Sequence, residues 1–231
     1  MKRMQRISAG VLAGLCILVA GTWILSRALD NHQTMYHGKS SYYWAVQLTN
    51  QDAAASNRAA AVLYSKIIPH LTNEMFSDTN DSKLKMAVID QLNALPGIQI
   101  DAVGADSRRI QAATELKIFG SAAKSAAPAL LEALRRQDNI LCEPAAGALV
   151  SIQADPEAVI PALIGCLVDA RGHGRSGVVD ALAHYGPRAK AAVPILVKLL
   201  KDHSSKEIIR AVPRALRQID PEAAAAAGVT K

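Results

Sequence analysis

At 231 residues the chain has room for one domain or two. Half of its residues are apolar, yet aromatics make up only 4% and alanine is abundant, which suits helices packed through Ala and Leu. No strand-like alternation or Asn-Gly hairpin signal persists, so an all-α structure is expected, and a net charge of +6 is modest for this length.

Lys2, Arg3 and Arg6 precede an uncharged stretch from Ile7 to Ser26, with Trp23 near its end and Arg27 closing it. About 20 apolar residues suffice to span a bilayer, and positive charge is denser before the stretch than after it. Residues 1–6 are therefore predicted to be a cytoplasmic basic tail and 7–26 a single-pass transmembrane anchor or uncleaved signal. A cleaved signal peptide is the competing reading, with Val19-Ala20-Gly21 as the cleavage site and a secreted product. The apolar stretch exceeds the 7–15 residues of a signal core, which favours the anchor. A lipoprotein signal fails because Leu15, not a small residue, precedes Cys16. Both readings export the remainder of the chain.

Residues 27–40 read as a linker. Tyr36, Tyr42, Tyr43 and Trp44 then gather many of the chain's few aromatics. Tyr43, Trp44 and Leu48 are predicted to cap an open apolar end of the helical array that follows; an aromatic ligand platform is the alternative. Ala53 to Leu71 reads as a helix with Ala60, Leu63, Tyr64, Ile67 and Ile68 on one side. Leu84 to Leu95 reads as another, with Leu84, Val88, Leu92 and Leu95 on one face and Pro96-Gly97 ending it. Residues 41–106 are thus an N-terminal cap with degenerate helical units.

From residue 107 to 226 the chain repeats, leaving 227–231 as a tail. Pro128-Ala-Leu-Leu, Pro161-Ala-Leu-Ile and Pro194-Ile-Leu-Val recur at an equal spacing, since 161 − 128 and 194 − 161 are both 33. Leu116, Leu149, Leu182 and Leu216 are separated by 33, 33 and 34. Each unit reads as two helices. Val159, Ile160, Leu163, Ile164 and Leu167 fall on one stripe of a first helix, and Val178, Val179, Leu182 and Tyr185 on one stripe of a second. Asp155-Pro156-Glu157 and Asp220-Pro221-Glu222 have the order of a helix start: capping acid, Pro, acid in the first turn. Gly120-Ser121 and Gly186-Pro187 mark a break at the matching places. The repeated Pro is expected inside the first helix, kinking it, and Pro213 is expected to do the same in the last second helix.

No Thr-Pro-Leu-His run of ankyrin type occurs, nor the aromatic pattern of tetratricopeptide units. The Pro in the first helix and the Ala-Leu pair in the second resemble short HEAT-like repeats, which implies an α-solenoid of stacked helix pairs. Tyr36-His37-Gly38-Lys39 leading into a helix with Tyr43-Trp44 resembles a segment of uncharacterised membrane-anchored bacterial HEAT-repeat proteins, which implies architecture and little about function.

None of the six His is followed by Glu, so the His-Glu pairs by which HEAT-like hydroxylases bind metal are missing. No CxxC pair, Gly-x-Ser-x-Gly elbow, phosphate loop or dinucleotide fingerprint occurs. No catalytic residue, metal or cofactor is assigned. Cys142 and Cys166 fall in adjacent units; export permits a disulfide, but two small buried residues are the preferred reading.

The turns between paired helices carry Arg135 and Arg136, then Arg171, His173 and Arg175, then Lys201, His203 and Lys206. Equivalent turns of stacked units share one edge, so these residues form a candidate ridge for an anionic partner. A solvated polar edge is the plainer reading. Export disfavours nucleic acid; acidic proteins, cell-wall polymers or anionic headgroups fit better. The expected function is a membrane-tethered, extracytoplasmic scaffold for an unknown protein partner, with no catalysis. The alternative is an enzyme or subunit like the HEAT-like lyases that attach bilins to cysteines, an argument from fold alone.

Overall fold

The computed structural model describes residues 35–77, 87, 89–91, 94, 104–169, 175–201 and 206–229. The stretch expected to cross the membrane, 7–26, lies outside them. Among the described residues no helix is long and apolar enough to span a bilayer. The chain divides into two compact units, Met1–Gln33 with Asp78–Ala105, and Thr34–Ser77 with Asp106–Lys231. In the first, residues 87 and 89–91 are helical and Ile89 is buried, within the helix expected over 84–95. The second unit is built almost wholly of helices.

It opens on a β-hairpin, a departure from the all-α expectation whose turn is not Asn-Gly. Strands β1 (Met35–Tyr36) and β2 (Lys39–Ser40) pair antiparallel, with Tyr36 opposite Lys39. The two residues between them, His37 and Gly38, both have positive φ, +50° and +68°. That is the signature of a tight turn whose twist matches a hairpin, and Gly reaches it without strain. Ser40 then caps helix α1 (Ser41–Gln47) by accepting the Tyr43 N–H at 3.2 Å.

Helix α2 (Ala53–Val62) runs into a π-helical turn (Leu63–Ile67) and on into α3 (Ile68–Met75). Ala59, Leu63, Ile67, Leu71 and Met75 are all buried. They are spaced by four, and in a regular α-helix a four-residue step drifts by about 40°. The wider π turn takes up part of that drift and keeps the row facing inward. Tyr64, expected on the inner face, is instead 52% exposed.

The rest of the unit comprises α4 (Ala105–Phe119), a 3₁₀ segment (Gly120–Ala126), α5 (Ala127–Arg135), α6 (Cys142–Ser151), α7 (Pro156–Asp169), α8 (Arg175–Tyr185), a second 3₁₀ segment (Gly186–Ala192), α9 (Val193–Lys201), α10 (Lys206–Ile219) and α11 (Pro221–Ala226). α7 packs beside α5 and beside α9, whereas α8 packs beside α6 and beside α10. α5 also packs on α6, α7 on α8 and α9 on α10.

Positions one repeat period apart share environments. Leu116, Leu149, Leu182 and Leu216 are fully buried, as are Leu130, Leu163 and Leu196. Gly120, Gln153 and Gly186 all adopt left-handed backbone, with φ of +54°, +55° and +55°. At Gln153 the turn is closed by the Ala154 N–H donating to the Leu149 carbonyl at 3.1 Å, the six-to-one bond that ends many helices.

The repeated Pro does not act as expected in two of its three copies. Pro128 and Pro194 are the second residues of α5 and α9, where no helical N–H is needed. Each follows a 3₁₀ segment that departs from helical geometry at Ala123 (φ −90°, ψ 18°) or Ala189 (φ −84°, ψ 17°). α7 starts earlier, at Pro156, where Asp155 accepts the Glu157 N–H at 3.2 Å, and so only Pro161 is interior. Pro213 is interior to α10 as expected.

Candidate functional site

Among the described residues of the expected ridge, helix ends set the positions of Arg135, Arg136, Lys201 and Lys206. Arg135 ends α5 and Lys201 ends α9, where positive charge is favoured by the unpaired carbonyls of the last turn. Lys206 opens α10, where that field is unfavourable, with Glu207 beside it in the first turn. Arg135, Arg136, Lys201 and Lys206 are exposed. The Arg136 Nε–H donates to Glu132 at 2.9 Å, and its guanidinium lies 4.6 Å from the centre of the Phe76 ring. That charge is partly balanced and its plane held.

Arg175 differs from this group. Its side chain is half-buried and donates to the Leu167 carbonyl at 3.0 Å. Its Nε is buried and has no hydrogen-bond partner among the described residues. It caps the end of α7 and is less exposed than the others. Arg171, His173 and His203 lie outside the described residues.

A second polar centre carries no local sequence motif. Arg109, on α4, is 5% exposed and its Nε–H donates to the Met75 carbonyl at 2.9 Å, at the end of α3. Its guanidinium also pairs with Asp138 and lies 3.6 Å from Asp106. Asp138 in turn accepts the Ile140 N–H at 3.2 Å, ordering the turn into α6. One buried cation thus ties α3, α4 and the α5–α6 turn together. The available signal was register: Arg109 and Arg175 each precede a ladder leucine by the same interval, since 116 − 109 and 182 − 175 are both 7.

Between α6 and α7 the sulfurs of Cys142 and Cys166 lie 2.9 Å apart, both buried, and the Cys166 S–H also reaches the Leu134 carbonyl at 3.3 Å. The hydrogen bond between the two sulfurs pulls the Cys142 thiol below its usual range. The same bond, with burial, pushes Cys166 up. At the end of α8, the Tyr185 hydroxyl is pushed up by burial and then by the charge of Asp155. It is buried with no hydrogen-bond partner among the described residues.

At the N-terminal end, Trp44 and Leu48 pack against the core, and the Trp44 Nε1–H donates to the Tyr36 carbonyl at 3.1 Å. Tyr43, expected to join them, is 40% exposed with Lys39 over its ring at 5.1 Å, because it lies on the outer side of α1 with Tyr42. Among the described residues no three His, Cys, Asp or Glu side chains are grouped to hold a metal ion.

No protein-family model, curated protein or solved structure matches the chain.

Proposed function

We propose that the chain is a membrane-tethered, extracytoplasmic scaffold of HEAT-like helix pairs that presents a basic edge to an acidic protein partner and carries out no catalysis. The observation that carries this reading is the coincidence of spacing and geometry. Buried leucines and left-handed chain reversals recur at the interval of the repeat, and first helices lie beside first helices as second helices lie beside second helices. A chain built this way forms an α-solenoid, whose neighbours bury a continuous core and whose inter-helix turns share one edge. Arg135, Arg136, Lys201 and Lys206 are the exposed cations on those turns among the described residues. Arg175 is removed from the binding set because its guanidinium caps α7. The basic N-terminus and the apolar stretch 7–26 supply the tether and direct the helices outward.

The test is site-specific crosslinking in intact membranes from a probe at Gln137, beside Arg135 and Arg136. The expected result is one reproducible crosslinked protein, lost when Arg135, Arg136, Lys201 and Lys206 are all changed to Glu and weakened by raised salt. A crosslink pattern unchanged by charge reversal would remove the basic edge from the reading.

A further inference from the structure

We propose that Cys142 and Cys166 are a redox pair that closes a disulfide between α6 and α7 when a thiol oxidant of the disulfide class is present. The sulfurs stand 2.9 Å apart, about 0.9 Å more than a disulfide bond, so closure requires a small approach and no rearrangement of the helices. Both side chains are shielded, at 5% and 1% exposure, and each faces the other.

The repeat spacing makes the pair specific. Positions equivalent to Cys142 hold Arg109 and Arg175, and those equivalent to Cys166 hold Ala133 and Leu199. Cysteine enters the array at two unrelated repeat positions, and those two positions meet. Packing alone is satisfied by Ala or Leu at the second position, as the neighbouring copies demonstrate by their burial.

Cys142 is the attacking group: it is the more exposed of the two, and the contact with Cys166 lowers its thiol while raising that of Cys166. On local opening of the α6–α7 contact, the Cys142 thiolate attacks one sulfur of oxidised glutathione or of an oxidised dithiol protein. The reagent's S–S bond breaks, one thiolate leaves and a mixed disulfide forms. Cys166 loses its proton and displaces the second reagent thiolate, forming the Cys142–Cys166 bond. Two electrons pass to the reagent, and the two thiol protons are balanced by the two reagent thiols released. The resulting bridge joins positions 24 apart in the sequence and restrains the unfolded chain accordingly. This inference stands on the sulfur geometry and does not depend on the partner or location proposed above.

The test uses the purified full-length chain, oxidised natively with glutathione disulfide, alkylated and digested with trypsin. Residues 137–171 contain no Lys or Arg before Arg171, so both cysteines fall in one peptide. That peptide should carry no alkyl group and weigh two hydrogens less than its reduced form, and cleavage after Glu157 should leave its halves joined. The melting temperature should rise by about 6–12 °C on oxidation and fall back with dithiothreitol. Cys142→Ala and Cys166→Ala should show no such shift. Alkylation of both cysteines after oxidant, a bridge to Cys16 instead, or a bridged protein that melts no higher would each overturn the proposal. The wild-type mass result decides the matter even if a variant fails to fold.

Discussion

Arg109 and Arg175 occupy the same register in α4 and α8, each at one fixed interval before a buried leucine, and the chain treats them differently. Arg109 is buried and shared among the Met75 carbonyl, Asp138 and Asp106. Among the described residues Arg175 donates to the Leu167 carbonyl and leaves a buried Nε unmatched. Asp138 supplies a carboxylate to Arg109, and the position two repeat periods on from Asp138 is Ser204 in the sequence. The apolar ladder is uniform from pair to pair, whereas the polar joints are local solutions. Local strength is therefore expected to vary along the chain even where the burial of leucines recurs.

Replacement of each arginine by Met should separate the two joints most clearly. Arg109→Met strips Asp138 of its buried partner and leaves the Met75 carbonyl without its donor; a loss of about 3 kcal/mol in urea unfolding is expected. Arg175→Met removes the hydrogen bond of a half-buried side chain to the Leu167 carbonyl, and should cost no more than about 1 kcal/mol. Equal losses at the two sites would erase the distinction.

The chain reversals offer a finer comparison. Gly120→Ala and Gly186→Ala force a side chain into left-handed backbone and should each cost about 1 kcal/mol. Gln153→Gly relieves the same strain at the intervening position and should stabilise by several tenths of a kcal/mol or more. A cost at Gln153 as large as at the glycines would mean that the three reversals are not equivalent.

The smallest effect concerns acid. Asp220 accepts from Lys190 at 2.9 Å and from the Ala223 N–H at 3.1 Å, and these bonds hold its carboxyl below the ordinary carboxylate range, the Lys190 bond foremost. A carboxyl depressed in the folded chain stabilises it above the unfolded value and ceases to do so as pH falls through the folded value. Lys190→Met should therefore flatten the acid side of the stability profile and leave Arg109's larger contribution untouched. An unaltered profile would show the exposed Lys190 to be unimportant to Asp220.

The features most legible in the sequence were those set by periodic burial. The Leu116 to Leu216 ladder, the helix start at Asp155-Pro156 and the breaks at Gly120 and Gly186 all follow from spacing and from backbone chemistry that few residues satisfy. The repeated Pro is hard to read because its effect depends on where its helix begins. A 3₁₀ segment delays α5 and α9, and none delays α7. The β1–β2 hairpin escapes notice because His37-Gly38 takes the place of the usual Asn-Gly. Tyr64 departs from its expected face because a π turn changes the phase of the α2–α3 helix. In the candidate site, charge alone puts Arg175 on the ridge, and only the bond to Leu167 reveals its inward role. Arg109 is invisible to local motifs because a buried cation depends on partners distant in the chain, Asp138 on one side and Met75 on the other.

The central claim is that a helix pair of one repeat period is the structural unit. It is tested most directly by thermal unfolding of the chain lacking residues 154–186. This deletion removes one full period and puts Gln153 in the place of Gly186, both left-handed with φ of +55°. A modular array should remain helical and melt cooperatively, at a lower temperature than the parent because one inter-unit interface is lost. A deletion of 154–180, which stops short of the full period and breaks the register, should destroy the transition. If the in-register deletion unfolds as completely as the out-of-register one, the chain is not built from that unit.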